Sequence, residues 1–266
     1  MKQPLLILSD LHLGHSASVI DDVSALEPLI SDAGTLIING DAWQELAKDF
    51  RARGKKLLDD LREICARRDV DLVLIQGNHD PDTGEVGYMS LAGGKIILTH
   101  GDCVFPEGAP WSRMVPKRKK ELRQLTSTTN IVNIEDRLAL AKKVAQLLVP
   151  PTYPKSRNRL LRIWDAVMPP SRAIRMIISW LSMVSETRKF SKRFFPECEM
   201  MICGHFHRAG IWEKKNLLVI NTGSFMPPGA AYWCEWNAGW FTVGLVSKSA
   251  AACVRGEILG VWKINQ

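Results

Sequence analysis

Residues Met201–Arg208 read MICGHFHR, an apolar run that stops at a glycine and then presents two histidines one residue apart. Imidazole is the commonest metal ligand, yet a pair at this spacing also fits an ordinary polar loop. The rest of the chain decides between them. Its 266 residues hold six histidines: His12, His15, His79, His100, His205 and His207. Five of them stand just past an apolar run, beside Asp, Asn or Gly.

LLILSDLHLGH places Asp10 and His12 after Leu5 to Leu8, and TLIINGDAWQ ends a second run at Asp41. DLVLIQGNHD ends a third at Asn78, His79 and Asp80, KIILTHGD a fourth at His100, and EMMICGHFH is the fifth. Short aliphatic runs bounded by Gly and polar residues predict buried strands of an α/β sheet. Ligands of such sheets bind outside the carboxyl ends of the strands, so five polar tips are expected to converge on one crevice.

In this order DLH, GD, GNHD, HGD and GHFH resemble the calcineurin-like metallophosphoesterases, whose pattern runs D-x-H, G-D, G-N-H-[DE], H and G-H-x-H. The resemblance spans Asp10 to His207, and NTGS at Asn221 to Ser224 is similar to a further family segment. It implies an α/β fold, a four-layer α-β-β-α sandwich of two stacked sheets flanked by helices, and a hydrolase acting on phosphoric ester or pyrophosphate bonds. Asp, His and Asn without thiolate form an oxygen and nitrogen donor set, which suits Mn2+ first, with Fe or Zn2+ as alternatives. Carried over residue by residue, Asp10, His12 and His207 would hold one divalent ion and Asn78, His100 and His205 a second, with Asp41 bridging the two. Ions about 3.5 to 4 Å apart clamp a phosphoryl group and acidify water at neutral pH. His79, with Asn78 beside it, is the implied catalytic residue, a general acid or an electrostatic donor at the leaving oxygen. Asp80 stands either as a structural residue or near the second ion.

The family often carries an acidic residue three positions after the bridging Asp, whereas GDAWQEL has Gln44 there and Glu45 next. The partner that orients His79 therefore stays open at this point. His15 follows the DLHLG loop closely enough to face the same crevice, as a substrate contact or as a plain surface residue, and Arg208 is a further candidate substrate contact.

Composition bounds the remainder. At 29.8 kDa, 46% hydrophobic and 24% charged, the chain has the make-up of a globular protein able to bury a full core. The apolar run before Asp10 is short and leads into a proposed ligand, so it reads as a strand and not as a signal peptide. No run reaches the ~18 apolar residues of a spanning helix. Cys65, Cys103, Cys198, Cys203, Cys234 and Cys253 show no CxxC pair, which reads as reduced thiols in a cytoplasmic protein. GxxxxGK[ST], HExxH, GxSxG and GxGxxG are absent, leaving P-loop, zincin, serine-hydrolase and dinucleotide chemistry without a foothold.

Segments 19 to 33 and 48 to 69 carry apolar residues at helical spacing between the first three strands. After Gly223, AYWCEW, GWFTVGLV and CVRGEILGVWKI predict antiparallel strands whose tryptophans pack in the core and along the edge. Residues 1–102 and 201–266 are assigned to the core, and 103–200 to a helical insert or cap. This span carries 19 Lys and Arg against 8 Asp and Glu, a net of +11 where the whole chain has +7. PPTYP at 150–154 and MPP at 168–170 separate its helices.

A solvated helical subdomain and a cap that receives an anionic amphiphile both fit this span. Its layout, with HGD before a helical insert, is similar to UDP-2,3-diacylglucosamine pyrophosphatases, although those commonly carry GNRD where this chain has GNHD. The leading expectation is a two-metal phosphoesterase acting on a phosphodiester or pyrophosphate, with an anionic phosphate-containing substrate and peripheral contact at an anionic membrane. A nucleic-acid or nucleotide phosphodiesterase using the +11 span on phosphate backbones, and a scaffold that has lost catalysis, are the alternatives.

Overall fold

A computed structural model describes residues 1–152, 168–249 and 252–264. The basic stretch YPKSRNRLLRIW at 153–164 lies outside the described residues. Among the described residues eleven strands are formed: β1 (Leu5–Leu8), β2 (Thr35–Asn39), β3 (Asp71–Ile75), β4 (Tyr88–Leu91), β5 (Ile96–Thr99), β6 (Met200–Cys203), β7 (Gly210–Lys214), β8 (Leu217–Asn221), β9 (Tyr232–Asn237), β10 (Trp240–Lys248) and β11 (Cys253–Lys263). The helices among them are α1 (Glu27–Ile30), α2 (Lys48–Arg67), α3 (Met114–Lys117), α4 (Lys119–Thr128), α5 (Ile134–Leu147) and α6 (Pro170–Phe194).

The five strands that carry polar tips fall into two sheets and not one. The first sheet runs β11-β10-β9-β1-β2-β3 and the second β4-β5-β6-β8-β7. Strand alternation then sorts the layers. Leu5, Ile7 and Ile37 face Leu98, Ile202 and Ile220 across the space between the sheets. Leu6, Leu8, Leu36 and Ile38 turn outward under Leu57, Leu58 and Leu61 of α2. On the far side Ile97, Met201, Cys203 and Val219 pack against Ile134 and Ala141 of α5 and Met183 and Phe190 of α6. Helix, sheet, sheet, helix is thus the layer order, and strands covered on both faces explain runs without polar alternation. Each aliphatic side chain buried this way contributes about 1.5 to 3 kcal/mol.

Two helical segments differ in outcome. Residues 48 to 69 become α2, which stops at Arg67 just before Asp69 takes a φ of 55°. The segment at 19 to 33 yields only a 3-10 turn at Val23–Leu26 and the single-turn α1. Asp22 accepts the Ser24 amide and starts the turn, and Pro28, lacking an N–H, suits a fresh helix start and not the middle of one long helix. The three C-terminal strands form as the pattern indicates, antiparallel, with β9 joining β1 at Leu5 opposite Trp236. Trp233 and Trp236 are buried, while Trp240 is half exposed.

Within 103–200, α5 begins at a capping box in which Asn133 and Asp136 satisfy each other's backbone amides. Because α5 and α6 cover the second sheet, this span supplies part of the sandwich's outer layer. Arg137 of α5, buried, donates to the carbonyls of Cys103 (2.7 Å) and Phe105 (2.6 Å) and pins the loop that follows His100. All six cysteines are buried and free. Among the described residues no helix is long and apolar enough to cross a membrane.

Candidate metal centre

β1, β2 and β3 run parallel in one sheet and β5, β6 and β8 in the other, so both sheets bring carboxyl ends to the same edge. The loops beyond these ends continue to pair. Asp10 N donates to Gly40 O (3.1 Å), His12 N to Asp41 O (2.9 Å) and Leu13 N to Ala42 O (2.9 Å). The sheets are stitched together by Asn39, whose Nδ2 donates to Thr99 O (3.0 Å) and Ile202 O (3.2 Å). Gly204 N donates to His100 O, and His205 N donates to the Asp10 carboxylate.

This lacing forces unusual backbone. Asp10, His12, Asp41, His205 and His207 all have φ between 47° and 64°, a region that residues other than glycine enter rarely. Strain gathered on five proposed ligands places their side chains at the cost of local stability. Two motif glycines are set by close approach. A Cβ at Gly40 would strike the His100 ring, and one at Gly204 would strike Asp10 Oδ2 and Ser9.

The side chains converge in linked groups. His12 Nε2 lies 3.0 Å from His207 Nε2, and His207 Nε2 lies 3.2 Å from Asp10 Oδ1. Asp41 Oδ2 is 3.7 Å from His12 Nε2 and 3.3 Å from His100 Nε2, so its carboxylate stands between the two groups. His100 Nε2 is also 3.1 Å from Asn78 Oδ1, while its Nδ1 lies 3.1 Å from Asn39 O. With Nδ1–H donating to that carbonyl, Nε2 faces two oxygen acceptors and offers its lone pair to a cation once its own proton is displaced. Donors crowded with lone pairs inward suit a shared cation. Asp10–His12–His207, His12–Asp41–His79 and Asp10–Asp41–His100 each gather their donor atoms within 4.8 Å.

His205 joins none of these three groups. Its buried ring lies 5.1 Å from that of His100, with Nε2 3.2 Å from Gly108 O and the Trp111 ring against it at 4.9 Å. Donation from Nε2–H to Gly108 leaves Nδ1 as the nitrogen able to ligate. His79 is partly open, with a side-chain exposure of 27% beside 31% for His207, and its Nε2 lies 3.9 Å from Asp41 Oδ2.

Charge follows contact. Burial pushes the Asp41 carboxyl up, but His100, His79 and His12 outweigh it and hold Asp41 well below its ordinary range. Burial likewise opposes charge on His100, yet the touching Asp41 raises it well above 6.5. Burial dominates at His12 and His205, which fall well below 6.5.

The residues whose roles the sequence left open find places. Asp80 accepts the amides of Asp41 (3.0 Å), Ala42 (2.6 Å), Trp43 (3.3 Å) and Gly77 (3.1 Å), which makes it the brace of the Asp41 loop. Gln44 meets both His12 Nδ1 (2.8 Å) and His79 Nδ1 (3.0 Å) and so is the partner that orients His79. His15 stands beside the centre, its ring 6.4 Å from that of His12 and 4.8 Å from Phe50, and accepts the Ala17 amide. Arg208 turns toward α6, donating to Trp180 O (2.8 Å) and lying over the Trp212 ring. Of the NTGS segment, Asn221 holds the Gly204 carbonyl, and Thr222 reaches Ser9, which in turn touches Asp10. Asn39 and Ser9 escaped the sequence reading, although an asparagine closing the otherwise apolar run TLIIN was a visible signal for the first.

No family model matches the chain, and no curated protein matches it. Among solved structures it is similar to a dimetal phosphatase from Danio rerio, with 12% identity and a TM-score of 0.46 over 98% of this chain and 99% of that one. An uncharacterized protein from Streptococcus pneumoniae, described as a predicted phosphoesterase, matches with 15% identity and a TM-score of 0.42 over 99% and 98%. Vacuolar Protein Sorting 29 from Cryptosporidium parvum matches with 12% identity and a TM-score of 0.44 over the full length of both chains.

Proposed function

We propose that this chain is a calcineurin-like metallophosphoesterase that uses two divalent ions to hydrolyse a phosphodiester or pyrophosphate. The carrying observation is the convergence of His12 Nε2, His207 Nε2, His100 Nε2 and the Asp10 and Asp41 carboxylates at one edge of the paired sheets. Asp10, His12 and His207 would hold one ion, Asn78, His100 and His205 the other, and Asp41 both. When bound, such a pair polarises the phosphoryl group and supplies hydroxide near neutral pH. The chain's own residues do the rest. Asp80 and Asn39 keep the ligand loops in register, and His79 faces the open side, where a phosphoryl oxygen would receive its hydrogen bond.

The substrate class we favour is an anionic amphiphile such as a lipid-linked sugar nucleotide, as in UDP-2,3-diacylglucosamine. On α6, Ile174, Ile177, Ile178 and Leu181 form an exposed apolar stripe at helical spacing. Beside it a cavity of about 250 Å³ is lined by Phe105, Pro110, Val115, Arg175 and Ile178 among others. α6 is tied to the histidine loop through Trp180 Nε1 donating to Phe206 O at 2.9 Å. An apolar stripe beside Arg175 favours an acyl chain carried on a phosphate over a purely polar ligand. The excess charge of the 103–200 span also supports the second reading, binding of a nucleic-acid backbone. A metal-reconstituted screen across nucleotide diesters, sugar-nucleotide pyrophosphates, phosphoprotein and lipid-linked substrates separates these readings. Preference for the acylated pyrophosphate is expected. Preference for nucleic-acid diesters with a steep salt dependence would replace the lipid reading.

A further inference from the structure

Gln44 is fully buried, and its carboxamide spans two rings, with Nε2 2.8 Å from His12 Nδ1 and Oε1 3.0 Å from His79 Nδ1. The rings meet edge to face with centroids 4.9 Å apart. One end of a carboxamide only donates and the other only accepts. The two Nδ1 atoms must therefore be complementary: where one histidine carries its proton on Nδ1, the other presents a lone pair.

His12 Nε2 is the atom turned toward Asp10, Asp41 and His207. For Nε2 to give its lone pair to a cation, the His12 proton must sit on Nδ1 and the amide oxygen must face it. That orientation is the present one turned over, so the NH2 end then meets His79 Nδ1. His79 becomes an acceptor at Nδ1 and carries its proton on Nε2, at its open side. Without a cation the present orientation serves, with His79 donating from Nδ1 and His12 protonated on Nε2.

We propose that Gln44 is a positioning residue whose carboxamide couples cation loading at His12 to the tautomer of His79, leaving His79 a neutral imidazole that points Nε2–H at the substrate's phosphoryl or leaving oxygen. A neutral imidazole that gave this proton away would become an imidazolate, so His79 acts as a hydrogen-bond donor and not as a proton donor. A carboxylate at position 44 can only accept, so it would hold the His79 proton on Nδ1 and leave Nε2 without one to donate. This inference rests on the metal-centre reading, and its test separates the two.

The test uses the full chain with 15N-labelled histidine, observed by two-bond 1H–15N spectra first with chelator and then with Zn2+, a diamagnetic probe. His79 is expected to move from Nδ1–H to Nε2–H on loading, while His12 moves the opposite way. In Gln44→Glu with Zn2+, His79 is expected to keep its proton on Nδ1, kcat to fall about tenfold and KM to stay within about threefold. Zn2+ bound by elemental analysis with an unchanged His79 tautomer overturns the coupling alone. No bound Zn2+ overturns the metal centre instead. Wild-type spectra carry the decision, so a variant that fails to fold leaves it intact.

Discussion

His12 Nε2 and His207 Nε2 lie 3.0 Å apart although 195 positions separate them in the chain. Two imidazole nitrogens at that distance need a proton or a cation between them, and Asp10 Oδ1 at 3.2 Å from His207 adds negative charge to the same point. The pair exists because β1 and β6 end at one edge and both loops turn through positive φ. His207→Ala should therefore weaken the ion at this position by roughly 10 to 100-fold or more while the fold persists. Titration with Mn2+ under competition by a chelator reads it, and unchanged affinity would remove His207 from the ligand set.

The His79 ring is partly open, and its amide already donates to Asp41 Oδ1 at 2.8 Å. Removing the ring leaves that backbone bond in place. His79→Ala should keep its metal yet lose roughly 10² to 10³-fold in kcat, the range for losing one positioned donor. With His79 the hydrogen-bond donor proposed above, the loss should vary little between acidic and basic leaving groups. Loss of metal in this variant would make His79 a ligand.

Gly204→Ala tests the lacing directly, because its Cβ would strike Asp10 Oδ2 and Ser9. Overpacking there should cost about 1 to 3 kcal/mol in chemical denaturation and lower metal affinity together. A stable variant with normal affinity would show that the loop has room to move.

The buried histidines imply a pH optimum for the stability of the metal-free chain. His12 and His205 are held well below 6.5 by burial, so below that pH the unfolded chain takes protons that the folded chain refuses. Stability then falls with pH by roughly 1.4 kcal/mol per unit for each. His100 is raised well above 6.5 by Asp41, so above that pH the folded chain keeps a proton the unfolded chain releases, and this contribution is lost as pH rises. Urea unfolding in chelator should show greatest stability near pH 6.5, and excess Mn2+ should remove the alkaline decline by taking the place of the His100 proton. A steady rise in stability from pH 5 to 8.5 in chelator would contradict this.

The ligand types were readable because each closes an apolar run, and the runs were readable because their strands are covered on both faces. The division into two sheets was not contained in those runs themselves, since Leu5–Leu8 and Met200–Cys203 look alike and only pairing partners assign them. The 3-10 turn at Val23–Leu26 was hidden because helical spacing continues through Pro28, where hydrogen bonding does not. Edge strand β7 carries exposed Glu213 and Lys214, and a sequence with so little apolar content gives no clear strand signal. Gln44 stood out only as a departure. Its partners, 32 and 35 residues away, are brought to it by folding.

Metal stoichiometry tests the central claim most directly. Asp41 is 3.7 Å from His12 Nε2 and 3.3 Å from His100 Nε2, so one carboxylate serves both proposed ion positions. Elemental analysis of the Mn2+-reconstituted chain should find two ions per molecule, and Asp41→Asn should hold fewer than one and hydrolyse nothing. A wild-type chain that binds no ion, or an Asp41→Asn chain that still binds two, would contradict the account.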